Sequence, residues 1–376
     1  MPPDSAATLR GRISERFHDL ETPTTDTLFD ALARDVFAFQ FEHNAPYAAY
    51  CRKRGLTPAR IAHWSEIPPV PTAAFKEVAL VAGTLADAQA VFRTSGTTRG
   101  SERRGAHYIL DLALYHEALL PMFAGYVLPD DARLPMFALV PDAAQAHDSS
   151  LAHMISVASR AFGASGSRSF LDPQYGLDEP ALEHALDQHV AARTPVCLLG
   201  TAFAFVHWLD SLTRKGKRFA LPDGSRLMDT GGFKGRSRIV PAHELRAAYH
   251  TQLGIPEHFV VNEYGMTELC SQFYDPVLRH YVAGRGPTPR RVKRAPPWVR
   301  TRAVHPDTLQ PVGPEEVGIL QHFDLANLFS VMAVQTEDLG RIHPHGIETL
   351  GRVEGAAPRG CSVAVDLLLA GLREKA

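Results

Sequence analysis

Apolar residues recur along this chain with two periods, and the alternation between them lays out its elements. From Thr25 to Ala49, Leu28, Leu32, Val36, Phe37, Phe39 and Phe41 return at mostly helical spacing, behind Thr and Asp residues able to cap a helix. Pro46–Arg54 reads as a second helix and Thr57-Pro58 as the start of a third, because proline is tolerated in a first turn. Residues 1–20 are expected to be a frayed lead-in. Ile67-Pro68-Pro69-Val70-Pro71 must be extended, since proline disfavours helix in the residue before it. Ala88–Phe92 reads as a strand and Tyr108–Met122 as a helix. Met136–Val140, Val196–Thr201 and Phe259–Asn262 are short, wholly apolar runs between longer helical patterns. Beyond Val317 strand-like runs dominate.

Short apolar strands alternating with helices argue for an α/β fold of mixed sheets covered by helices, with a strand-rich C-terminal subdomain. The expected division is a helical lead-in over 1–90, an α/β core over 91–315, the strand-rich part over 316–355 and a short tail over 356–376. In such sheets ligands sit beyond the carboxyl ends of the strands. His147, Ser149 and His153 follow one strand end, Gly200-Thr201 another, and Asn262-Glu263-Tyr264-Gly265 a third. Phe203, Phe205, Val206 and Trp208 are apolar enough to line a pocket there, and equally suited to a core.

Charge changes this picture by exclusion. A formal net charge of −2 gives no electrostatic case for nucleic acid or an anionic membrane. No run of about 18 apolar residues could span a bilayer. Cys51, Cys197, Cys270 and Cys361 lie far apart, with neither disulfide-framework nor zinc-ligand spacing. The expected compartment is the cytoplasm.

The chemistry concentrates in Arg93-Thr94-Ser95-Gly96-Thr97-Thr98-Arg99-Gly100-Ser101. Its glycines allow backbone N–H groups close to an anion, its hydroxyls add donors and its arginines add charge, a composition suited to the triphosphate of ATP. It is neither a Walker loop nor a GxGxxG turn. In Tyr264-Gly265-Met266-Thr267-Glu268 an aromatic ring can stack on a flat base. The hydroxyl and carboxylate that follow can reach a phosphate and its Mg²⁺. Thr336-Glu337-Asp338-Leu339-Gly340-Arg341 supplies an acid suited to ribose hydroxyls, and Gly351-Arg352 an arginine at a turn.

Together, in this order, these segments resemble the phosphate loop, YGxTE, TGDLGR and hinge motifs of the adenylate-forming superfamily. Further stretches look like the LuxE-type acyl-protein synthetases of bacterial bioluminescence operons. They are Ile67–Pro71 with Phe75-Lys76, Ser149–Met154, Asp229–Arg236 and Pro358–Ser362. That family activates a fatty acid with ATP to acyl-AMP, moves the acyl group to a cysteine near its C-terminus, and passes it to a reductase partner.

The resemblance implies roles. Thr94, Ser95, Gly96, Thr97 and Thr98 cradle the leaving phosphates; Tyr264 stacks on adenine against Gly231, Gly232 and Phe233. Thr267 donates to the α-phosphate, Glu268 holds Mg²⁺ and Asp338 binds ribose. His147, Ser149, His153 and Gly200 line the carboxylate pocket. Cys361 is the implied acyl acceptor, with Cys270 as second candidate. The superfamily's usual small domain with its catalytic lysine is not expected here, so Lys234, or in competition Arg352, is the candidate cation. An acyl-accepting protein, reductase or carrier, is the implied partner. A stand-alone acid adenylase and a nucleotide-binding scaffold without activity remain as alternatives.

Overall fold

The computed structural model describes residues 5–22, 24–94, 104–231 and 240–352, and its elements gather into two compact units. One contains the chain up to Pro121, Met266–Gln272 and the chain from Arg294; the other contains Met122–Gly265 and Phe273–Lys293. Both are assembled from separated stretches of sequence. The mixed α/β architecture expected from the sequence is the one observed.

The second unit is built on a six-stranded sheet whose spatial order is Phe273–Tyr274, Val260–Tyr264, Arg226–Thr230, Cys197–Thr201, Met136–Leu139 and Arg168–Ser169. All neighbours are parallel except Phe273–Tyr274. Cys197 through Gly200 are buried without interruption, which explains their continuous apolarity: both faces are covered. Leu182 and Leu186 from the helix Glu179–Ala192 pack into one cluster with Phe205, Trp208 and Leu212 from Ala202–Lys215. Tyr249 and Leu253 from Ala242–Leu253 join it over Leu198 and Leu227. Two of the strand-to-helix passages are fixed by a cap. Ser149 and Thr201 accept the N–H groups of Ala152 and Ala204. Because the strands are parallel and Thr201 lies opposite Thr230, and Thr230 opposite Glu263, their carboxyl ends share one edge.

The first unit carries the helices Ala6–Ser14, Asp26–His43 and Ala45–Lys53 and a five-stranded sheet. Its order is Val70–Pro71, Ala333–His343, Gly318–Asp324, Val299–Val304, with Gly346–Arg352 also paired to Ala333–His343. Here three sequence expectations are corrected. The N-terminus is anchored, not frayed: Leu9, Ile13 and Phe17 are buried, Phe17 meets the Trp298 ring at 4.5 Å, and Arg10 pairs with Asp111 and Glu117. The third helix is only the 3₁₀ turn Pro58–Arg60. The Ser/Thr/Gly-rich loop does not lead directly into a helix; Ala90–Arg93 pairs antiparallel with Ala106–Ile109, and the helix begins at Leu112. Among the described residues no helix is long and apolar enough to cross a membrane.

Candidate functional site

The root of the Ser/Thr/Gly-rich loop is closed like a clasp. The Thr94 N–H donates to the Gly105 carbonyl at 2.9 Å, and the Gly105 N–H returns to Thr94 Oγ1 at 2.9 Å. Arg104 Nε donates to the Thr94 carbonyl at 2.6 Å. Space at 105 is tight: a Cβ there would stand 3.1 Å from Thr94 Cγ2 and 3.5 Å from Phe75 Cβ, so Thr94 would have to shift by a few tenths of an ångström. Ser95, Gly96, Thr97 and Thr98 lie outside the described residues, as do Gly232, Phe233, Lys234 and Cys361.

In the same unit, the carbonyls of Thr267 and Glu268 are both held from behind. His107 Nδ1 donates to Thr267 O at 2.8 Å, and Asn327 Nδ2 donates to Glu268 O at 2.8 Å. His107 is 1% exposed on the strand that returns from the loop. Burial drives its pKa down to about 4, so at neutral pH the ring is uncharged, and the carbonyl partner fixes the proton on Nδ1. One neutral ring therefore ties the loop hairpin to the Thr-Glu pair. Nothing in the sequence singled out His107, since a histidine in a strand has no motif to carry it.

Glu268 is 7% exposed. Desolvation raises its carboxyl to about 7; Arg352 opposes this and Asp338 and Glu337 add to it. These groups converge because Asp338 lies opposite Arg352 across two strands, with Arg352 Nε 3.3 Å from Asp338 Oδ1. The register shifts at Leu339/Gly340. A Cβ at Gly340 would lie 2.5 Å from the Glu348 carbonyl, so the neighbouring strand approaches as glycine alone allows. Thr336 Oγ1 accepts the Asp338 N–H at 3.0 Å and fixes its backbone. Two residues past Glu268, Cys270 is buried, its N–H donates to Asp324 at 3.1 Å, and burial holds its thiol well above the ordinary value. A buried neutral thiol is a poor nucleophile, which argues against Cys270 as acyl acceptor.

In the second unit the strand ends bring another group together. Tyr264 is half-buried with its ring edge-on to Phe273 at 5.6 Å. Gly231, at φ +73°, directly follows the strand end at Thr230, and the Thr230 hydroxyl donates to Glu263. Asp229 accepts from Tyr249 at 2.8 Å and from Asn262 at 2.5 Å. Burial raises both Asp229 and Glu263, the latter to about 7, and lowers Lys293, whose charge faces them. This buried acid–lysine group was not anticipated from the sequence. Gly200 is explained by packing, since a Cβ would lie 3.0 Å from Leu139 Cβ and 3.1 Å from Phe205. His147 is exposed and His153 half-buried, and Ser149 caps the helix Ser150–Phe162. Phe205, Val206 and Trp208 belong to the core cluster.

Within one unit, then, a loop root, a Thr-Glu pair clamped at its backbone carbonyls and an acid–arginine pair come together; within the other, an aromatic ring and a glycine turn share a strand edge. The family model described as acyl-protein synthetase, LuxE, matches residues 13–369. The long-chain-fatty-acid–luciferin-component ligase of Aliivibrio fischeri is 23% identical over 357 residues, 89% of this chain and 87% of that protein. Among solved structures, 2-hydroxyisobutyryl-CoA ligase is similar in its open conformation with 2-HIB-AMP and CoA. It has a TM-score of 0.62 and 12% identity, covering 88% of this chain and 75% of that one. Its postadenylation state with 2-HIB-AMP gives a TM-score of 0.64 at 12% identity, covering 88% of this chain and 68% of that one. The shared fold is that of adenylate-forming enzymes.

Proposed function

The chain belongs to the LuxE family of acyl-protein synthetases, a ligase that activates a carboxylic acid with ATP to acyl-AMP, and we propose that its acid is a fatty acid passed through Cys361 to a protein acceptor. The observation that carries the reading is the Thr267–Glu268 pair. Both carbonyls are clamped by buried side chains, and the Glu268 carboxyl is desolvated beside Arg352 and Asp338. Adenylation asks for positioning and charge neutralisation around an α-phosphate: a hydroxyl on a clamped backbone serves the first, and a carboxylate that holds a divalent cation serves the second.

In this account the acid's carboxylate oxygen attacks the α-phosphorus and the bond to the bridging oxygen of pyrophosphate breaks, its electron pair leaving with pyrophosphate. Thr94 and the loop it opens hold the departing phosphates, Thr267 donates to the α-phosphate, and Asp338 takes the ribose hydroxyls. Tyr264 stacks on adenine, with Gly231, Gly232 and Phe233 as the facing wall. His147, Ser149, His153 and Gly200 border the carboxylate pocket, and Lys234 or Arg352 faces the transferring phosphate. A buried carboxyl raised to about 7 fits a divalent cation, because a nearby double charge stabilises its ionised form. Among the described residues no group of three or more acids, histidines or cysteines gathers for a metal. That suits Mg²⁺, which takes one or two carboxylates and completes its shell with phosphate oxygens and water. When bound it neutralises phosphate charge. The name of the Aliivibrio relative motivates the fatty acid. The final acceptor is then a reductase or carrier protein, met in the cytoplasm.

Incubation with ATP, Mg²⁺ and a radiolabelled long-chain fatty acid tests the transfer. Label should survive denaturation, be released by hydroxylamine and be missing from Cys361→Ser, which still forms free acyl-AMP. Label persisting on Cys361→Ser would contradict the assignment and place the acyl group on another residue, whereas wild type that forms acyl-AMP without any protein-bound label would be a stand-alone adenylase.

A further inference from the structure

The buried acid–lysine group of the second unit has no part in the chemistry assigned above, yet its acids lie at the strand ends that carry Gly231 and Tyr264. Asp229 and Glu263 are the penultimate residues of the adjacent parallel strands Arg226–Thr230 and Val260–Tyr264, and Asp275 directly follows Phe273–Tyr274. Their hydrogen bonds are unequal. Asp275 accepts the Asn262 N–H at 2.8 Å, the Val277 N–H at 3.2 Å and Arg291 Nη1 at 2.9 Å. Arg291 Nη1 donates to the Val260 carbonyl as well, at 2.9 Å, so this arginine is committed to the start of the strand. Asp229 has neutral donors, the Tyr249 hydroxyl and the Asn262 amide, and Glu263 has the Thr230 hydroxyl. Lys293, two residues beyond Arg291, is 6% exposed, and its charge acts on all three acids. With Arg291 paired to Asp275, Lys293 is, among the described residues, the cation that acts on both Asp229 and Glu263. A buried carboxylate that loses its counter-charge takes up a proton or leaves its place.

We propose that Lys293 is a positioning residue for nucleotide binding: its charge balances Asp229 and Glu263, and so holds the two strand ends, with Gly231 and Tyr264, in the arrangement that receives the base. The inference rests on the adenylation reading, which gives Gly231 and Tyr264 to adenine; the charge balance rests on the hydrogen bonds around the three acids. Lys293 acts through those acids and not on the substrate. Fully ionised, Asp229, Glu263 and Asp275 against Arg291 and Lys293 leave one net negative charge, and without Lys293 they leave two. Glu263, already raised to about 7, then ionises only at higher pH and without compensation. Strand ends driven apart by that charge hold the receiving arrangement for a smaller fraction of the time, and apparent affinity falls by the same fraction.

Calorimetric titration of AMP and, separately, inorganic pyrophosphate into the full-length protein at pH 6 and pH 8.5 tests this, each variant set against wild type at the same pH. Lys293→Met should bind AMP about tenfold more weakly at pH 8.5 and within about threefold of wild type at pH 6, where Glu263 holds its proton. The double variant Lys293→Met/Glu263→Gln returns the group to one net negative charge and should recover AMP affinity to within about threefold at both pH values. Pyrophosphate affinity should not follow this pattern, since Thr94 and the loop it opens belong to the other unit. AMP affinity unchanged in Lys293→Met overturns the proposal. So does a loss that is equal at both pH values, or one that Glu263→Gln fails to repair, because either marks a lysine needed only for the fold. If Lys293→Met alone does not fold, the double variant decides: AMP affinity near that of wild type supports the proposal and its loss overturns it. Wild type that binds no AMP at either pH overturns the adenylation reading itself, whereas wild type that binds AMP beside indifferent variants overturns the role of Lys293 alone.

Discussion

Replacing Glu268 with glutamine should stabilise the protein in a pH-dependent way while removing its activity. The buried carboxyl titrates at about 7 against an ordinary 4.5. A carboxyl whose folded pKa is raised stays protonated longer in the folded state than in the unfolded one. Its cost to stability is therefore absent below about pH 4.5, grows as pH rises towards 7 and is complete above it. The full cost is roughly 3 kcal/mol, at about 1.36 kcal/mol for each pH unit that separates the folded from the unfolded pKa. For a chain of 376 residues this corresponds to about 4 °C in unfolding midpoint. Glutamine has no charge to bury. The midpoint of Glu268→Gln minus that of wild type should then rise by about 4 °C between pH 4.5 and pH 8 in metal-free buffer, followed by differential scanning calorimetry. The comparison cancels the other perturbed groups, Glu263, Asp324 and His107, because they are present in both proteins. Mg²⁺ with nucleotide should recover stability in wild type and not in the variant. A difference that does not change with pH would refute the claim that Glu268 is a desolvated acid awaiting a cation.

Other expected outcomes follow from the same geometry. His107→Phe keeps the ring but loses the donor to the Thr267 carbonyl, so exchange kcat should fall roughly ten- to hundredfold with a smaller change in ATP KM. An unchanged kcat would show that Thr267 needs no such clamp. Asp338→Asn removes the partner of Arg352 and an acceptor for ribose hydroxyls, and should raise ATP KM about tenfold or more; fluorescence titration of ATP reads this directly. Asp324→Ala strands the Cys270 N–H and the Ser271 hydroxyl, bonded at 3.1 and 2.8 Å, in a buried setting. It should cost about 2–4 kcal/mol in urea unfolding.

Much of the fold was legible because its signals are local. Cys197–Gly200 reads as a strand buried on both faces from its apolarity alone, and the structure places it inside a parallel sheet. The long helix Asp26–His43 follows from its spacing and its Thr25 cap. What escaped were features that depend on distant partners. Leu9, Ile13 and Phe17 do recur four apart, but among charged residues that spacing is too brief to announce a helix, and burial comes from Trp298 far along the chain. Ala106–Ile109 is a strand only because Ala90–Arg93 lies beside it. For the site, motif order pointed to Thr267, Glu268 and Asp338, whereas His107, Asn327 and Lys293 act through packing and carry no pattern of their own. Cys270 looked reactive by its closeness in sequence to Glu268; burial disfavours its thiolate.

The account turns on acyl-AMP formation, so the most direct measurement is ATP–pyrophosphate exchange across a panel of fatty and aromatic acids, with Glu268→Gln and Cys361→Ser beside wild type. The prediction is exchange with a long-chain fatty acid, lost in Glu268→Gln and retained in Cys361→Ser. Exchange undiminished in Glu268→Gln, or absent in wild type with every acid, would contradict it.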